Sequence, residues 1–443
     1  MIIGNISDIY TNAIIKLSDI IITLLCLYQI LLSLLKKDMI QRKIFDDLKS
    51  HLKSKEYSIL TGARQTGKTT LLRQLEYFCK QEHLPYVFIN LENKNILSEL
   101  DQSPLNILKF LPEVDKRVFV FVDEVQYLED ASNFLKLLYD EHSQKIKIVA
   151  TGSSAFYIDD SFRDSLAGRK KLFNLYTCSF NEYLHLTGNQ ELLDEKSRIE
   201  KMDDSKSIRI DYLKNAWETY MVYGGYPAII TEPDKQEKVN RLKEIRDSFL
   251  KRDMLESRVN NEIAFYNLIR IIAGQCGSLI NVNELASIIR VRRESVINYL
   301  TILQKCFHIA MVKPFYKNLR KELVKMPKVF MLDNGLRNCL VNNFNLPYTR
   351  TDRGELWENT VFRILTDVFS PDEIRYWRTI AGNEVDFVLP DINKPFAIEA
   401  KFDKNQIKKK KVKIFENTYP NIPLKFAWMN PFDENFFRRL SVI

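Results

Sequence analysis

No two of the six cysteines (Cys26, Cys79, Cys178, Cys276, Cys306 and Cys339) are spaced as a C-x-x-C pair, and only His308 lies close to one of them. That pattern argues against a zinc site, and scattered single thiols point to a reducing compartment. Charge of one sign is also scarce. Lys and Arg number 65 against 57 Asp and Glu, a net +8 that suits nucleic acid and equally any solvated surface. No small-residue cleavage site follows the apolar N-terminal run, and its positive charges come after it, so a cleaved signal peptide fits poorly. At 443 residues the chain exceeds a single core, and its length suggests about three domains.

What is present begins with Gly62-Ala63-Arg64-Gln65-Thr66-Gly67-Lys68-Thr69, of the form G-x-x-x-x-G-K-[ST]. Glycines near both ends let the backbone curl until several N–H groups point inward, and the following helix adds its unpaired N-terminal donors. Lys68 would reach the β- and γ-phosphates of ATP, and the Thr69 hydroxyl would hold Mg²⁺, with Thr70 opening the helix. Tyr57-Ser58-Ile59-Leu60 reads as a strand before the loop, and Thr70 to Phe78 has helical apolar spacing after it.

Val118-Phe119-Val120-Phe121-Val122-Asp123-Glu124 reads as a buried parallel strand ending in two carboxylates. Asp123 would contact Mg²⁺ and Glu124 would polarise the attacking water; an acidic pair closing a turn is the plain alternative. Ile146 to Ala150 forms a third strand, followed by Thr151-Gly152-Ser153-Ser154. Those hydroxyls, Ser153 among them, either sense the γ-phosphate or close a turn.

The runs GARQTGKTTLL, VFVDEVQYL, VATGSSAF and LAGRKKLFNLYTCSFNEYL resemble the AAA-type ATPases of bacteria and archaea that carry a C-terminal nuclease-like domain. The resemblance implies that Asn90, ending Val87-Phe88-Ile89-Asn90, couples to the catalytic Glu. It also implies that Arg169 approaches the phosphates of a neighbouring subunit in a homo-oligomer; a surface ion pair is the alternative for Arg169.

Residues 1–38 are apolar, with sixteen residues from Ile20 to Leu35 almost free of polar groups. Membrane-spanning length is reached only by extending back to Ala13 and including Lys16 and Asp19. Three readings stand: a membrane anchor flanked by Lys36-Lys37, a soluble packing helix, or translated upstream sequence, because Met39 to Phe45 looks like the usual start of the family. The ATPase is expected at 39–190, as a parallel sheet covered by helices, in the cytoplasm unless the anchor is real.

A helical connector is expected over 191–261. Its Tyr223-Gly224-Gly225-Tyr226-Pro227 turn, carried by the same family, has a structural role. Residues 262–345 fit a winged helix, with Asn283 as an N-cap, a longer helix from Glu294 to Cys306, and wing strands Ile309 to Val312 and Lys328 to Leu332 joined by a basic stretch. Arg290, Arg292 and Arg293 stand where such folds present charge to DNA, although winged helices also serve only for packing.

The last domain, 351–443, holds Glu384 to Leu389 and Phe396 to Lys401 as adjacent alternating strands. Asp386, Glu399 and Lys401 then make the D…E-x-K arrangement that resembles the PD-(D/E)xK nuclease fold, with Glu358 as a helix-borne third carboxylate. The carboxylates would hold Mg²⁺ or Mn²⁺ while Lys401 orients water. The basic run Lys408 to Lys413 would track a phosphate backbone or simply be solvated. A catalytically silent docking domain is the rival reading.

Overall fold

Alternation along five parallel strands divides the N-terminal sheet between two apolar layers. The computed structural model describes residues 42–152, 166–201, 209–316, 325–391, 394–407, 409–429 and 436–437. The apolar segment 13–35, Ser153, Lys408 and residues 317–324 of the basic stretch lie outside them. Strands β1 (Tyr57–Gly62), β2 (Tyr86–Asn90), β3 (Val118–Asp123), β4 (Ile146–Gly152) and β5 (Lys170–Leu175) are ordered β2-β3-β4-β1-β5. Ile59, Val120, Val122, Ile148 and Ala150 face a helix at Ala131–His142 through Phe134, Leu135 and Leu138. The intervening Leu60, Phe121 and Val149 face the helix Lys68–Gln81 through Leu71, Leu72, Leu75 and Cys79. Helices on both faces explain why β1 and β4 are buried at every position, as the unbroken apolar runs require. The expected α/β architecture of a P-loop parallel sheet is the one found.

The connector is helical. Just before and into it runs the helix Gln190–Lys201. The two glycines at its turn make room for close backbone contact. A Cβ on Gly225 would lie 2.3 Å from the Cys178 carbonyl oxygen, and the Gly225 N–H donates to Asp333 Oδ2 at 2.8 Å. A long helix, Lys235–Glu256, follows.

Three helices, Glu262–Gly274, Val282–Ile289 and Arg293–Lys305, then precede β6 (Ile309–Pro314) and β7 (Lys328–Met331). The N-cap of the middle helix is Asn281 rather than Asn283. The Asn281 side chain accepts from the N–H groups of Asn283 and Glu284, which places Asn283 inside the first turn. Strands β6 and β7 pair antiparallel, as a wing would, but β6 also runs parallel to β8 (Arg375–Arg378). With β9 (Glu384–Leu389), β10 (Phe396–Lys401) and β11 (Leu424–Trp428) they form one six-stranded sheet, β11-β10-β9-β8-β6-β7. The two segments expected as separate domains therefore share a sheet. The helix Arg353–Leu365 packs Leu356, Trp357, Val361 and Phe362 into the core they share.

Candidate functional site

All five strands of the first sheet point the same way, so Gly62, Asn90, Asp123 and Gly152 end at one edge. There the loop turns through Gln65 (φ 57°) and Gly67 (φ 98°), the latter a left-handed conformation that glycine adopts at little cost. Gly67 is the N-cap of the helix Lys68–Gln81. The Thr66 hydroxyl donates to the Ala63 carbonyl at 2.8 Å, closing the loop. Lys68 Nζ donates to the carbonyls of Gly62 (2.9 Å) and Ala63 (2.8 Å) and is 5% exposed. Burial lowers its pKa to about 8, with Glu124 and Asp123 opposing.

The Thr69 hydroxyl donates to Asp123 Oδ1 at 3.2 Å, bringing together a hydroxyl and a carboxylate from elements two strands apart. This hard oxygen pair, beside a phosphate loop, fits Mg²⁺. Thr151, at the end of β4, also donates to Asp123 Oδ1 and accepts from the Glu124 N–H at 3.0 Å. Its hydroxyl is thus committed to the acidic pair. Glu124 sits at φ 61°, ψ 50°, costly for a residue with a Cβ and characteristic of functional turns, and accepts from Gln126 Nε2. Asn90 pairs with Asp123 in the strand register, and its side-chain oxygen accepts from the Glu92 N–H at 2.9 Å.

Arg169 lies away from this edge. Its carbonyl accepts from the Tyr57 N–H at the start of β1, the opposite end from the loop, and its guanidinium pairs with Asp140 at 2.7 Å. An arginine there cannot reach its own chain's phosphate site. Arg64 points to a contact the sequence did not disclose: its Nη2 pairs with Glu256, and its Nε lies 3.6 Å from Asp253 Oδ1.

The second cluster lies on the six-stranded sheet. Antiparallel pairing of Ile398 with Phe387 brings Asp386 beside Glu399. Lys401 Nζ lies 2.9 Å from Asp386 Oδ2 and 2.8 Å from Glu399 Oε1. The unexpected member is Lys328 of β7. Its ammonium is buried, 2.9 Å from Glu358 Oε1, 2.5 Å from Glu384 Oε1 and 3.6 Å from Asp386 Oδ1. Burial alone would lower Lys328, but Glu358, Asp386 and Glu384 hold it well above the usual lysine range. Burial raises Asp386 too, yet Lys328 and Lys401 keep it below the ordinary aspartate value.

This differs from the metal pocket that the sequence suggested for Glu358, Asp386 and Glu399. Two ammonium groups engage Glu358 Oε1, Glu399 Oε1 and both Asp386 oxygens, and among the described residues no group of three or more His, Cys, Asp or Glu is arranged to hold a metal. As placed, the cluster does not fit a divalent ion. Glu384 was within reach of sequence reasoning, since it lies two residues from Asp386 on the same strand face; Lys328 carried no signal beyond being a lysine at the head of an apolar strand.

Burial, then the charge of Asp386, pushes Glu399 up to about 7; burial pushes Glu358 up to about 8. Raised carboxyls favour the folded state when protonated. Their contribution is full below the unfolded value of about 4.5 and is lost as pH rises through 7 and 8. The thermal midpoint should therefore fall less between about pH 5 and about pH 8 in Glu399→Gln than in the wild type. An equally steep fall in both would remove Glu399 as the titrating group.

Comparison with known proteins bears on the first site. Residues 54–184 match the family described as AAA domain. That segment of the chain is similar to an AAA domain. Residues 214–346 and 353–439 match two families, each described as a domain of unknown function (DUF8612 and DUF4143). Among relatives, the uncharacterized protein MJ1637 of Methanocaldococcus jannaschii is 25% identical, over 80% of this chain and 78% of its own. An uncharacterized protein of Haemophilus influenzae is 23% identical, over 83% and 88%. Among solved structures, Aeropyrum pernix ORC1 in complex with DNA gives a TM-score of 0.31 at 11% identity, covering 70% of this chain and 93% of that chain. AMPPCP-bound DnaA from Aquifex aeolicus gives 0.28 at 16%, covering 58% and 86%. Among the described residues, no helix is long and apolar enough to cross a membrane.

Proposed function

We propose that the chain hydrolyses ATP with Glu124 as the water-polarising base, and that its C-terminal sheet serves as a docking module that the ATPase regulates. The observation that carries the first part is the convergence of Lys68, Thr69, Asp123 and Glu124 at one sheet edge. Thr69 and Asp123 would hold Mg²⁺, which supplies charge neutralisation at the β- and γ-phosphates when bound. Lys68 exchanges its two carbonyl acceptors for phosphate oxygens, and Glu124 takes a proton from the attacking water. Arg169, at the far end of the sheet, would serve a neighbouring copy once released from Asp140.

DNA is the partner best suited to the helices Val282–Ile289 and Arg293–Lys305, because Arg290, Arg292 and Arg293 are all exposed around the turn between them. The docking role rests on Lys328, an internal cation among the carboxylates of the cluster. One observation favours a second reading, metal-dependent cleavage at Asp386, Glu399 and Lys401: Glu399 Oε2 is buried with no hydrogen-bond partner among the described residues.

The test is ATP turnover by the purified chain, with and without duplex DNA, beside degradation assays on DNA and RNA in Mg²⁺ or Mn²⁺. The expected result is turnover, salt-sensitive DNA binding weakened by Arg292→Ala with Arg293→Ala, and intact nucleic acid. Cleavage that Asp386→Ala abolishes would replace docking with the second reading, and absence of ATP turnover would sink the first part.

A further inference from the structure

The C-terminal end of the helix Lys235–Glu256 touches both walls of the ATP site. On one side Asp253 and Glu256 hold Arg64, the third residue of the phosphate loop, which is 10% exposed. On the other, Arg252 Nη2 donates to Tyr127 Oη at 2.6 Å, in the turn that begins at Glu124. Glu256 is shared, with Arg252 Nε 3.8 Å away. Asp253 has a second buried partner, His308 Nε2 at 2.6 Å, and the His308 carbonyl accepts from the Leu332 N–H just beyond β7. A helix end docked only for packing has no need to place two carboxylates on a phosphate-loop arginine.

Guanidinium is a planar fork with five donors. Glu256 takes Nη2, while Nε, 3.6 Å from Asp253 Oδ1, is buried with no hydrogen-bond partner among the described residues. That unpartnered donor lies on a side chain whose charge acts on both Lys68 and Glu124. An arginine so fixed costs little to reorganise when charge builds on a phosphoryl group.

We propose that Arg64 is a catalytic residue of the ATPase reaction, contacting the transferred phosphoryl group, and that Asp253 and Glu256 are positioning residues that aim it, with His308 fixing Asp253. The inference rests on the ATPase reading. It makes turnover depend on the docking of the helix Lys235–Glu256, and through His308 on the strands β6 and β7 of the other sheet.

The experiment measures kcat and KM for ATP in the full chain, with ATP affinity and thermal midpoint alongside. Arg64→Ala should lower kcat roughly 100-fold, while ATP affinity changes only a few-fold. Millimolar guanidinium should restore part of the lost kcat, which a purely structural arginine would not allow. Glu256→Gln should lower kcat roughly ten-fold with KM nearly unchanged, and Asp253→Asn should act likewise if it folds. In the double variant Arg64→Ala with Glu256→Gln the losses should not add, because the carboxylate acts through the guanidinium. A wild type that turns over ATP, with kcat unchanged in Arg64→Ala, overturns the inference alone. Additive losses overturn the positioning role. A wild type that binds no ATP and has no turnover defeats the ATPase reading instead.

Discussion

Glu124→Gln is expected to bind ATP as the wild type does and to lose turnover by roughly 100- to 10,000-fold, whereas Lys68→Ala is expected to lose ATP binding itself. The difference follows from where each group stands. Lys68 is buried inside the loop, with its ammonium on the Gly62 and Ala63 carbonyls, so its removal empties the centre of the phosphate cradle. Glu124 lies outside that cradle, its backbone held by Thr151 and its carboxylate by Gln126. Glutamine keeps the size and the left-handed backbone but cannot accept the water's proton. Calorimetric ATP binding and single-turnover hydrolysis separate the two. Equal hydrolysis rates for Glu124→Gln and wild type would remove Glu124 from its role.

The candidate ATP site was legible because a phosphate loop is local. Eight consecutive residues specify its turn, and the strand before it and helix after it declare themselves by spacing. Asp123 and Glu124 were legible for a related reason, since a buried strand that ends in two acids exposes them at a sheet edge. What the sequence concealed was long-range pairing. Nothing near Arg64 announces that Asp253 and Glu256, about 190 residues later, will hold it. Lys328 was read as part of a wing because its strand is apolar and follows two helices, and that strand does pair with β6. The extension of β6 onto β8 decides its environment instead, and this depends on only two residue pairs, Lys313 with Arg375 and Pro314 with Tyr376. A motif such as D…E-x-K reports which acids share a face; it says nothing of a cation delivered from another strand.

That cation leads to the second large effect. Lys328→Met is expected to destabilise the chain by about 3–5 kcal/mol, because it takes a buried cation from the buried Asp386 and the partly buried Glu358 and Glu384 that surround it. Adding Glu358→Gln should recover part of the loss by removing one of the uncompensated acids. The vacated space is bounded by carboxylate oxygens, the donor set of a hard divalent ion. Mg²⁺ or Mn²⁺, added without nucleotide, should therefore raise the urea midpoint of Lys328→Met and leave that of the wild type unchanged, since an ion stabilises only the state that binds it. Lys328→Met with Asp386→Ala should lose this response, which separates binding at the cluster from binding elsewhere. Should the wild type itself be stabilised by Mn²⁺ in a manner that Asp386→Ala abolishes, Lys328 does not exclude the metal, and the docking role for this sheet gives way to cleavage.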